Sequence, residues 1–86
     1  MADKANTELM KSWARSEALL RQARAALPEG VEHEFRESLE QFEEFLAHNE
    51  LGLALDTLVG VVDEIGSVTA DVRAPLLEAA RNMGRR

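Results

Sequence analysis

Two histidines and a dense run of carboxylates are the residues of this chain best suited to chemistry. His33 and His48 each follow a glutamate by four positions, Glu29 and Glu44. On a helix that spacing puts imidazole and carboxylate on one face, which is half of a metal site. The two halves do not combine. Fifteen residues of helix would separate the histidines by roughly 22 Å along the axis and about 60° in projection, too far for one ion. Neither half has a third ligand at a suitable spacing, so no metal is expected. Cysteine is absent, which removes thiolate ligands, a thiolate nucleophile and disulfides. Glycine-rich phosphate loops, a Ser-His-Asp order and aromatic residues interleaved with basic ones are also missing, so no catalytic residue and no cofactor is expected. Carboxylate pairs could do acid-base work, but nothing singles one out. The chemistry that remains is binding, and the chain reads as no enzyme.

Charge is distributed unevenly enough to suggest what is bound. Residues 1–28 hold five basic and three acidic groups, residues 65–86 hold four and two, and residues 29–64 set Arg36 against eleven carboxylates within a net charge of −6. Such a centre repels nucleic acid and attracts a basic surface. At 86 residues the chain is sized for one domain with a small core. Its first residues, Met1 to Asn6, lack the apolar run of a signal peptide, and no stretch approaches the roughly 20 apolar residues of a membrane span. A cytoplasmic location without membrane contact is expected.

The elements that must position these groups are helices. Apolar residues recur at helical spacing through Val31, Phe35, Leu39, Phe42 and Leu46, and again through Leu51, Ala54, Leu55, Leu58, Val59, Val62 and Ile65. The register breaks at His48, Asn49 and Glu50. Asn49 tolerates a left-handed backbone, so it closes the first helix or caps the second. Glu50 falls where a new helix exposes its amide donors, and His48 where the old one ends in carbonyls.

This stretch, with Phe45, Leu46, His48, Glu50, Gly52, Leu53, Ala54, Leu55 and Leu58 in order, resembles the small immunity proteins of bacterial polymorphic toxin systems, the Maf-type group in particular. The resemblance covers residues 45–58 and is diffuse elsewhere. It implies a compact helical bundle, turned at the His/Asn-Glu corner, that binds and silences a cognate secreted toxin domain, often a nuclease. Read together with the charge pattern, it implies a basic toxin surface docking on Glu37, Glu40, Glu44, His48, Glu50 and Asp56, with Leu53 as an apolar anchor. The alternative is a self-associating helical adaptor.

The remaining residues complete an all-α four-helix bundle, with helices about 6–27, 29–48, 50–65 and 69–83 and frayed ends at 1–5 and 84–86. Asn6 or Thr7 caps the first helix, whose buried stripe runs through Leu9, Trp13, Ser16, Leu20, Ala23 and Leu27. That stripe makes Trp13 core. Pro28 stops the first helix and Gly66 the third. Leu53 and Gly60 face away from the core stripe, so either another helix touches the third from behind or a docking groove lies there. Gly60, unfavourable within a helix, suggests close approach. The last helix buries Val72, Leu76, Ala79, Ala80 and Met83 and continues, bent, through Pro75. The alanine-rich seam offers little spare apolar area, so the free chain is expected to be a monomer or weak homodimer.

Overall fold

A computed structural model describes residues 2–84, with side chains from Met10 onward. These residues form five helices: α1 (Ala2–Ala25), the single turn α2 (Val31–Glu34), α3 (Arg36–Ala47), α4 (Leu51–Ile65) and α5 (Ala70–Asn82). The four long helices make the all-α bundle that the apolar periodicity implies. They pack as two pairs, α1 along α5 and α3 along α4, with α4 also touching α1 and α5. The bundle measures 48 × 24 × 18 Å.

Between the pairs lies a core of aliphatic side chains around Phe42 and the fully buried Leu20, Leu58 and Val72. The stripe expected on α3 is the buried one: Leu39, Phe42 and Leu46 are buried and Phe45 packs against them. On α4 the buried edge is rotated slightly. Val61 is buried and Val59 is exposed, because α4 meets neighbours on more than one side.

Four local expectations are corrected. First, α1 begins at Ala2 rather than near Asn6 or Thr7, and residues 2–5 are helical; alanines favour helix and Asp3 suits the positive end of the dipole. Second, the helix expected over 29–48 is divided at Phe35, whose φ of −113° and ψ of 30° leave the helical region. Phe35 is where the chain changes neighbours. Arg24 of α1 holds Glu32 of α2 at 2.9 Å, whereas α3 runs along α4. Third, Trp13 is not core: it is 44% exposed, and Leu19 takes a buried place beside Leu20. Fourth, nothing lies within 4 Å of a Cβ built on Gly60, so no close approach explains that glycine. The side chain of Leu9 lies outside the described residues, as do Arg85 and Arg86.

α5 is continuous through Pro75. Thr69 enters it with an extended backbone and accepts from Val72 and Arg73 through its carbonyl at 3.1 Å each. Pro75 denies the Asp71 carbonyl its usual donor, but its ring is buried. Among the described residues no helix is long and apolar enough to cross a membrane.

Candidate protein-binding face

The corner between α3 and α4 closes through its backbone. Asn49 has a φ of 57°, the one positive φ outside glycine among the described residues. Its N–H donates to Leu46 O at 3.0 Å, and the Glu50 N–H donates to Phe45 O at 2.8 Å. Together these satisfy the last carbonyls of α3, the paired closure that a left-handed residue after a helix permits. Of the two roles open to Asn49, the structure selects helix closure; Glu50 then caps α4 and accepts from Ala54 N–H at 3.0 Å. His48 Nδ1 lies 2.9 Å from Glu44 O, and because a carbonyl only accepts, Nδ1 carries the proton.

From this corner an acidic ridge runs back along α3. Glu37, Glu40, Glu44 and His48 follow one another at three- and four-residue steps, opposite Leu39, Phe42 and Leu46, and all four are exposed. Glu44, His48 and Glu50 converge on one shallow depression with Gln41 and Phe45. Gln41 also lines the adjoining groove between α3 and α4, which contains Asp56, Thr57 and Gly60. Four of the seven expected contacts therefore border one continuous seam. Glu40 borders a different groove, between α1 and α3, with Arg24, His33 and Arg36. Glu37 and Leu53 line none of these depressions. Leu53 is 48% exposed, which removes the alternative that a second helix buries it.

Ion pairing divides the carboxylates into two sets. Arg15 pairs with Glu78 at 2.9 Å, Arg21 with Glu17 at 2.9 Å and Glu43 at 3.3 Å, and Arg24 with Glu32 at 2.9 Å. The hydrogen bond that Arg21 donates to Glu17 raises its guanidinium above its already high ordinary range, and Glu43 adds to it. All four of those carboxylates pair with arginines of α1. Glu37, Glu40, Glu44 and Glu50, all exposed, make no ion pair among the described residues, and neither do Glu29, Glu34, Asp63, Glu64 and Asp71. Arg36 makes no ion pair among the described residues either.

Gln41, which lines both depressions, and Phe45, which lines the one at the corner, are not singled out as contacts by their spacing. Phe45 reads as core and Gln41 as ordinary helix surface until α4 is set beside them. No three His, Asp or Glu side chains among the described residues come close enough to hold a metal ion. Comparison with protein families, curated proteins and solved structures finds no match to this chain.

Proposed function

We propose that this chain works by binding a basic protein, as an immunity-type inhibitor that covers a toxin domain in the cytoplasm. The observation carrying this reading is the clustering of the exposed Glu37, Glu40, Glu44 and Glu50 along α3 and the corner, with no ion pair among the described residues, beside a bundle whose arginines on α1 already hold other carboxylates. Like charges left together on one face repel each other and weaken the free protein slightly. A basic partner relieves that repulsion and is steered in by the same field. His48 and Asp56 border the face, and the exposed Leu53, one turn beyond Glu50, gives it an apolar contact. The adaptor reading needs a contiguous apolar surface. The large exposed apolar side chains are instead spread over three helices: Met10 and Trp13 on α1, Leu53 and Val59 on α4, and Leu77 on α5.

The test is charge reversal at Glu37, Glu40 and Glu44, each to Lys, measured by stopped-flow association with the C-terminal domain of a large secreted protein encoded beside this chain's gene. All three side chains are exposed and lysine is a good helix former, so circular dichroism should be unchanged. The on-rate at low salt should fall at least about tenfold, and the salt dependence of the wild type should vanish. Equal on-rates with equal salt dependence would sink the reading.

A further inference from the structure

A second site lies on the opposite flank of the corner. Ser12, Trp13 and Ser16 of α1, Asn49, Leu51 and Gly52 at the corner, and Asn82 and Met83 at the end of α5 line a half-open cavity of about 390 Å³. That volume lies within the usual range for small-ligand sites. In a chain with 30% charged residues, not one of these eight lining residues is charged. Trp13, Leu51 and Met83 supply apolar wall.

The polar wall is only half satisfied. Asn82 Nδ2 donates to Ser12 O at 2.9 Å and Ser16 Oγ at 2.8 Å, with Ser12 Oγ at 3.4 Å. The bond to the Ser12 carbonyl, which can only accept, fixes the amide orientation and assigns the other atom as Oδ1. Oδ1 makes no hydrogen bond among the described residues. Ser16 is 1% exposed; its oxygen accepts from Asn82, and its own hydroxyl proton has no acceptor among the described residues. Among the described residues the one buried side-chain atom without a partner is Arg24 Nε, so Asn82 Oδ1 is open to the cleft, and with the Ser16 hydroxyl it offers an acceptor and a donor there.

We propose that this cavity binds a small neutral molecule with an apolar body and one amide-like end, which accepts from Ser16 Oγ and donates to Asn82 Oδ1 while its body lies against Trp13. Charged ligands are disfavoured because no counter-charge lines the wall among the described residues and a buried charge without one is costly. The site shares only Asn49 with the corner's backbone closure, and it stands or falls separately from the acidic face.

Trp13 is the only tryptophan and there is no tyrosine, so intrinsic fluorescence reports on this cavity alone. The probe is cyclohexanecarboxamide, compared with cyclohexanecarboxylate of the same body. The carboxamide should shift Trp13 emission saturably with a Kd of about 1 mM, and the carboxylate should bind at least about tenfold more weakly. Gly52→Leu, which adds a bulky side chain to the cavity lining, should abolish the saturable shift. In a parallel amide NMR titration of the wild type, shifts should concentrate at residues 12–16, 49–52 and 82–83, which decides the matter if Gly52→Leu does not fold. A linear response, equal binding of both probes, a folded Gly52→Leu variant that binds like wild type, or shifts scattered over the bundle would each overturn the proposal.

Discussion

Substitution of Asn49 isolates the energy of one backbone conformation. The residue is exposed and holds a φ of 57°, and its side chain makes no hydrogen bond among the described residues. Changing it therefore alters the left-handed backbone and little else. A residue with a Cβ pays steric strain there of about 1 kcal/mol, and a β-branched one about 2 kcal/mol, whereas asparagine tolerates the region. Glycine removes the strain but frees the unfolded chain by a comparable amount, leaving Asn49→Gly within about 0.5 kcal/mol of wild type. Asn49→Ala should lose about 1 kcal/mol and Asn49→Val about 2 kcal/mol. For a chain of 86 residues each kcal/mol moves Tm by about 4–8 °C, so valine should melt about 8–16 °C below glycine. Thermal unfolding followed by circular dichroism reads this directly. Coincident curves for the glycine and valine variants would refute the left-handed closure of α3.

Two further variants probe the packing. Gly60→Ala should raise stability by about 0.5–1 kcal/mol in urea unfolding, since the added methyl meets nothing within 4 Å and alanine is the better helix former; a loss would show that something does approach that face. Asn82→Ala removes the donor shared by the Ser12 carbonyl and the buried Ser16 hydroxyl and should cost about 1–3 kcal/mol, while the double variant with Ser16→Ala should cost less than the two single losses added together. Strict additivity would mean the two side chains do not act on one another.

The local features of this protein were legible in its residues because they depend on neighbours within one or two turns. Apolar residues three and four apart placed Leu39, Phe42 and Leu46 on one buried face and left Glu37, Glu40 and Glu44 on the other. Asn49 was the residue able to turn left-handed at the corner, and it does. Which helix each face would meet was decided only when the helices packed. Arg21 reaches Glu43 across 22 positions of sequence, and Arg15 reaches Glu78 across 63, so the division of the carboxylates into paired and unpaired sets could not be read from the pattern around either partner. Trp13 has the spacing of a core residue, yet stands at the rim of a cavity because α1, α4 and α5 converge beside it without filling the space. Gln41 became a link between two depressions only when α4 lay against α3. Helical periodicity selects the direction in which a side chain points, and tertiary packing decides what, if anything, it meets there.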